Sequence, residues 1–167
     1  MQISMYEALV PATNRMLSHV SAMLDKAEAY ATQKKIEPSV LLNSRLAADM
    51  FPLTRQVQIA CDIVKGGAAR LAGVDVPSFP DTEASIAELK TRIEKNLEFI
   101  NGIDAAKFEG SEDREIVLAQ RVGERRFSGI DYLRNFVLPN LYFHATATYA
   151  ILRHNGVDIG KNDFIGK

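Results

Sequence analysis

The stretch from 128 to 156 constrains the fold most, because it has the pattern of one long helix. Ser128 with Asp131 three residues later predicts an N-terminal cap with an acidic first turn, and Asn155 with Gly156 predicts the end. Pro139 removes one hydrogen bond inside the segment, so we expect a kink there. The residues on one face follow three- and four-residue steps: Ile130, Leu133, Val137, Leu141, His144, Thr148 and Ile151.

Three further segments carry apolar stripes at helical spacing, which predicts four long helices in all. The first runs over 4–35 and opens with Ser4 and Glu7, the spacing of a capping box. The second begins near Pro52 and ends at Gly73. The third is capped by Asp81 or Thr82 and ends at Asn101-Gly102. Its apolar stripe contains Ile86, Leu89, Ile93, Leu97 and Ile100, with the charged residues between, Arg92 among them, on the solvent side.

Just before the last helix, the apolar residues no longer follow helical spacing, and this change predicts a small β-hairpin. Residues 115–119 and 125–127 have strand-like composition and flank Gln120–Glu124, which contains Gly123. Four amphipathic helices with one hairpin predict an all-α fold, a four-helix bundle. At 167 residues the chain has the size of one domain, so we assign 1–167 to a single domain.

Charge and cysteine content exclude several classes of protein. The net charge of −1 gives no basic surface of the kind that binds DNA or RNA. One cysteine, Cys61, excludes an internal disulfide and fits a reducing compartment, so we expect a cytoplasmic protein. We find neither a signal peptide at the N-terminus nor an apolar run long enough to cross a membrane.

The chemistry that the sequence offers is concentrated at His144. Asn140 lies one turn earlier on the same helix face, and this i, i+4 spacing can hold a metal ion. The alternative is a buried, hydrogen-bonded histidine that orders the kink. Gln56 lies beside the stripe of the second helix and could meet His144 across the core. Tyr142 and Thr148 complete the predicted pocket.

Two runs of sequence identify a family resemblance. The runs NSRLAADMFPLTRQVQIACD (43–62) and FVLPNLYFHATATYAILRHNGVDIGKNDFIG (136–166) resemble an uncharacterised bacterial and fungal family, a domain of unknown function within the DinB/YfiT-like superfamily. The resemblance covers nearly the whole chain. It implies an up-down-down-up bundle, often a homodimer, with a crossover between the second and third helices. Pro77 and Pro80 fit that crossover.

The resemblance also implies a metal site. Characterised members of the superfamily hold a divalent metal, often nickel or zinc, with one histidine from the second helix and two from the last helix, four residues apart. Some act as thiol transferases or as hydrolases of thiol conjugates. His144 matches the later histidine of the last-helix pair, Asn140 stands at the earlier position, and Gln56 or Gln58 stands at the second-helix position. One of the three ligands is therefore present.

These observations leave three hypotheses open, and whether the protein is an enzyme stays open with them. The first is a small-molecule-binding or non-catalytic bundle with a polar pocket at Gln56, Asn140 and His144. The second is a divalent-metal-dependent thiol transferase or hydrolase with an altered ligand set, which Asp49 or Asp62 would complete. The third is a structural interaction protein.

Overall fold

A computed structural model of the protein describes residues 3–119 and 123–166. They are mainly helical, with one two-stranded antiparallel sheet. The helices are α1 (Met5–Lys34), α2 (Pro38–Asn43), α3 (Leu53–Ala72), α4 (Ile86–Asn101), α5 (Gly129–Tyr132), α6 (Leu138–His154) and α7 (Lys161–Ile165). The strands are β1 (Glu115–Ala119) and β2 (Glu124–Ser128), a 3-10 turn spans Ala105–Phe108, and a π-helical segment, Leu133–Val137, joins α5 to α6.

The predicted ends of the first two long helices are confirmed by their caps. The Ser4 side chain accepts from the Glu7 amide while the Glu7 carboxylate accepts from the Ser4 amide, which is the predicted capping box. Pro52 caps α3, and Gly73 ends it with a left-handed backbone, φ +66°. That conformation favours glycine because a Cβ would be strained there.

The third long helix begins later than the sequence suggested. We predicted a cap at Asp81 or Thr82, but Ser85 caps α4 and forms a capping box with Glu88. The intervening residues are not helical, and Asp81 and Glu83 form ion pairs with Arg92 instead of opening a helix. The assignment of Arg92 to the solvent side was wrong for the same reason.

The hairpin is confirmed, with the register Glu115↔Ser128 to Ala119↔Glu124. Most of the predicted connection, at 120–122, lies outside the described residues. Ile116, on the face of β1 that meets the core, is buried. The hairpin therefore packs on the helices, as a two-stranded sheet must in order to be stable in water.

The last helical stretch contains a π-helical segment, Leu133–Val137, just before Pro139, and the kink itself stays a prediction. The Leu138 amide donates to the carbonyl of Leu133, one residue further back than in an α-helix. Pro139 has no amide hydrogen, so it cannot restore the regular ladder at the next position. Single π-helical turns inside α-helices occur often at functional sites.

The long helices share one apolar core. α3 packs against α4 and α6, and α1 packs against the same two helices. The tail helix α7 lies on α1, where Arg15 donates to the carbonyl of Ile165 and Lys26 pairs with Asp163. The up-down-down-up order stays a prediction. Within the described ranges, every helix is too short or too polar to cross a membrane.

Candidate functional site

His144 lies on the inward face of α6 and is 8% exposed. Its Nδ1 atom is 2.7 Å from Oε1 of Gln56 on α3, so the predicted meeting of these two residues across the core is confirmed. Gln56 is buried as well. The contact joins α3 and α6, which pack against each other in the core.

The orientation of the Gln56 amide determines which nitrogen of His144 carries the hydrogen. The Gln56 amide nitrogen, Nε2, donates to the carbonyl of Phe51 at 3.0 Å. Its oxygen is therefore the atom that faces the imidazole, and an oxygen can only accept. His144 must donate from Nδ1, so in the neutral ring Nε2 keeps its lone pair. The arrangement fixes one tautomer and leaves one acceptor nitrogen.

The surroundings of His144 favour the neutral ring. Burial lowers the pKa of His144 below its ordinary value of 6.5, and the positive charge of Arg55 lowers it further. Arg55 is one residue before Gln56 on α3, half-buried, and paired with Asp81. Near neutral pH the site therefore presents an uncharged acceptor. Sequence inspection missed Arg55, although its position beside Gln56 was a signal.

Asn140 and Thr148 lie one turn before and one turn after His144 on α6. The Asn140 amide nitrogen donates to the carbonyl of Phe136 at 2.7 Å, which leaves the Asn140 side-chain oxygen as an acceptor. Thr148 is buried, and its hydroxyl donates to the carbonyl of His144 at 2.9 Å. Both side chains bond to carbonyls of the last helical stretch, so they support the backbone that carries His144.

The aromatic residues around this region lie on different surfaces. Tyr142 lines a separate cleft with Pro11, His19 and Phe164. The Phe143 ring meets the His144 ring edge-on at 5.2 Å and is itself 59% exposed. Phe51, whose carbonyl holds Gln56, is 55% exposed. One exposed aromatic ring, that of Phe143, therefore lies against the His144 imidazole.

The donor set does not fit a three-histidine metal centre. Within 3–119 and 123–166 there is no group of three or more His, Cys, Asp or Glu residues placed to share a metal ion. The Gln56 oxygen is already committed to the Nδ1 hydrogen of His144. Asp49 is exposed, and Asp62 is paired with Lys65 and Arg92. Burial raises the pKa of Cys61 to about 12, so its thiol stays protonated.

A second polar cluster, around Arg92, was missed from the sequence. The Arg92 side chain is 1% exposed and pairs with Asp62 on α3 and with Asp81 and Glu83 in the preceding linker. Gln58 on α3 donates to Glu83 at 2.8 Å. The position of Arg92 three residues after Leu89 was the signal, because that spacing places it beside the apolar stripe. The cluster ties the linker to α3 and α4.

Comparison with known proteins agrees with this fold. The family model described as "Domain of unknown function (DUF1993)" matches residues 5–165. The chain is similar to a crystal structure of a DinB family member protein from Shewanella denitrificans, with 44% identity and a TM-score of 0.92. The similarity covers 97% of this chain and 92% of that chain. No curated protein matches the chain.

Proposed function

Because the chain belongs to the DUF1993 family of DinB-like proteins, we propose that it binds a small molecule through one neutral imidazole, not through a three-histidine metal centre. The site is the predicted pocket at Gln56, Asn140 and His144, in a bundle of the up-down-down-up type. These three residues are sufficient to bind a ligand, and the function that we propose is binding without catalysis.

One observation carries the proposal: Gln56 accepts the Nδ1 hydrogen of His144 while its own amide group donates to Phe51. In metal sites a group that accepts this hydrogen is a supporting residue, not a ligand. Gln56 therefore positions His144, and Nε2 is the atom that meets a ligand. Since Nε2 accepts a hydrogen bond, the ligand supplies a hydroxyl or N–H donor.

The side chains around the imidazole suit a ligand with an apolar part. The exposed Phe143 ring lies against the imidazole, and Asn140 offers a second acceptor one turn away. Aromatic contact with a few placed polar groups is the usual composition of a small-molecule site. The ligand we propose is thus a neutral, partly apolar molecule with one or two hydrogen-bond donors.

The test combines metal analysis with a ligand screen on untagged protein. We expect mass spectrometry to find well below one nickel or zinc ion per chain. In a thermal-shift screen of neutral fragments, we expect hits that stabilise the wild type and His154→Ala but not His144→Ala. His154 is the matched control, because it is an exposed histidine at the end of the same helix.

Two results would contradict the proposal. A metal near one per chain that disappears in His144→Ala would favour the metal-dependent thiol transferase or hydrolase. Hits that bind His144→Ala unchanged would place ligand binding elsewhere. Homodimerisation and a cytoplasmic location stay predictions from the sequence, and light scattering of the purified protein tests the first of them.

A further inference from the structure

A groove separate from the His144 imidazole runs between α3, the hairpin and the start of the last helical stretch. It has a volume of about 610 Å³, within the range of small-molecule sites. We call it the α3–hairpin groove and define it by six residues: Ile59, Ile63 and Arg70 on α3, Leu118 on β1, and Tyr132 and Phe136 beyond the hairpin.

Arg70 gives the groove a fixed positive group. Its side chain is half-buried, and Nη1 donates to the Tyr132 hydroxyl at 3.2 Å. The guanidinium lies against Gly66, where a Cβ would collide with it. Among the described residues Arg70 has no carboxylate partner. A guanidinium that donates to a buried tyrosine hydroxyl, in the space that a glycine leaves, is placed to meet an anion.

Tyr132 supplies a second donor at the same place. The ring is 1% exposed, and burial raises the pKa of its hydroxyl, so the hydroxyl stays protonated. The oxygen accepts from Arg70, and its own hydrogen has no acceptor among the described residues. An arginine and a tyrosine hydroxyl side by side can bind the two oxygens of one carboxylate.

An aromatic cluster next to this pair carries a second arginine. The rings of Phe127, Tyr132 and Phe136 have centroids 5.5–5.8 Å apart. The guanidinium of Arg125 lies 4.6 Å from the Phe127 centroid and has no carboxylate partner in the described ranges. Arg125 pairs with Leu118 in the sheet, so both side chains are on one face of the hairpin. The cluster adds apolar surface and positive charge.

The acidic residue at the groove does not oppose an anion. Asp62 lines the groove too, but its Oδ1 atom accepts from Lys65 at 2.8 Å and from Arg92 at 2.9 Å. Arg55, which also lines the groove, is paired with Asp81. The charges without a protein partner are therefore positive, while Ile59, Ile63 and Phe136 form an apolar wall.

From this geometry we infer that the α3–hairpin groove is a second binding site, which takes an amphipathic monocarboxylate. The carboxylate binds Arg70 and the Tyr132 hydroxyl, and the alkyl or aryl body lies along Ile59, Ile63 and Phe136. The site does not use His144, so it does not depend on the function proposed above.

Titration calorimetry with decanoate tests the inference, and decan-1-ol is the uncharged probe of equal chain length. We expect saturable decanoate binding near one per chain and, in His144→Ala, at least tenfold weaker binding of decanol than of decanoate. Loss of a charged hydrogen bond predicts that Arg70→Gln weakens decanoate binding by about tenfold or more. Arg134→Gln is the matched control, because it removes an exposed arginine from the nearby π-helical segment.

Further variants keep the test decisive. Arg125 is exposed, so Arg125→Gln should fold, and we expect a smaller loss of decanoate affinity. His144→Ala should bind decanoate as the wild type does. Absence of saturable binding, equal affinity of His144→Ala for decanol and decanoate, or unchanged decanoate affinity in both Arg70→Gln and Arg125→Gln would overturn the inference. A loss that appears in His144→Ala instead would assign the carboxylate to the other site.

Discussion

At the scale of single residues, His144 links the protonation of one ring to stability. Its pKa is lowered in the folded protein by burial and by Arg55, whereas the unfolded chain has the ordinary value of 6.5. Above that value both states are neutral. As the pH falls below it, the unfolded chain binds a proton first, so the folded state loses relative stability.

We therefore expect the free energy of unfolding to fall as the pH is lowered from 7.5 toward 5. Urea denaturation at a series of pH values measures it, and His144→Gln should make this dependence weaker. NMR titration of the ring gives the folded pKa directly. A folded pKa at or above the ordinary value would contradict the prediction.

Gln56 provides a second prediction at this scale. In Gln56→Leu, the buried Nδ1 hydrogen of His144 loses its acceptor, and the carbonyl of Phe51 loses its donor. We expect a loss of about 1–3 kcal/mol in the free energy of unfolding, the usual cost of unsatisfied buried groups. Nitrogen-15 NMR of the ring should show Nδ1 protonated in the wild type and a mixture of tautomers in the variant. A pure Nδ1–H form in Gln56→Leu would show that Gln56 does not fix the ring.

At the scale of elements, the adjacent glycines of α3 have different neighbours. A Cβ on Gly67 would come within 2.8 Å of the Val137 side chain, at the end of the π-helical segment. A Cβ on Gly66 would meet only the end of the Arg70 side chain, which can rotate away. The same substitution should therefore have different effects at the two positions.

We expect Gly67→Ala to lower the free energy of unfolding by about 1–3 kcal/mol, because Val137 and the helix behind it must move. Gly66→Ala should be neutral or stabilising by up to about 1 kcal/mol, since alanine favours the helix. It should nevertheless weaken decanoate binding, because Arg70 is displaced. Chemical denaturation and calorimetry of both variants measure these effects, and equal destabilisation would contradict the prediction.

Local signals in the sequence predicted most of the elements. The Ser4–Glu7 box, Pro52 and Gly73 each mark a helix end through contacts within a few residues, and those ends are confirmed. The predicted start of α4 was wrong because Asp81 and Glu83 form ion pairs with Arg92, which lies one to two turns into the helix. The His144–Gln56 contact was predictable because both residues lie on helix faces that meet. The orientation of the Gln56 amide, which fixes the tautomer of His144, was not predictable because it depends on the Phe51 carbonyl in a connecting loop.

At the scale of the whole molecule, the buried cluster around Arg92 joins three separate parts of the chain. Arg92 on α4 bonds to Asp62 on α3 and to the Pro80 carbonyl and Glu83 in the linker. Burial alone would raise the pKa of Glu83, but hydrogen bonds from Arg92 and Gln58 outweigh it, so this pKa is lowered. The cluster therefore contributes stability that is complete above the ordinary glutamate pKa of 4.5 and is lost as the pH falls below it.

We expect Arg92→Met to destabilise the fold by about 3–5 kcal/mol, since it leaves carboxylates without their buried partner. The loss should be smaller in the double variant Arg92→Met, Glu83→Gln, and a thermodynamic cycle of denaturation curves measures the coupling. Lys90→Met is the control, because it removes an exposed ion pair on the same helix. If the effects of the two substitutions on the free energy of unfolding simply add, Arg92 and Glu83 are not coupled.

The two amide residues near His144, Gln56 and Asn140, are each encoded by codons one base away from a histidine codon. Codons for glutamine and histidine differ only in the third base, and those for asparagine and histidine only in the first. Gln56→His and Asn140→His would each need a single base change, and together they would surround His144 with imidazoles on the same two helices. Two single-base changes therefore separate this site from one with three histidines.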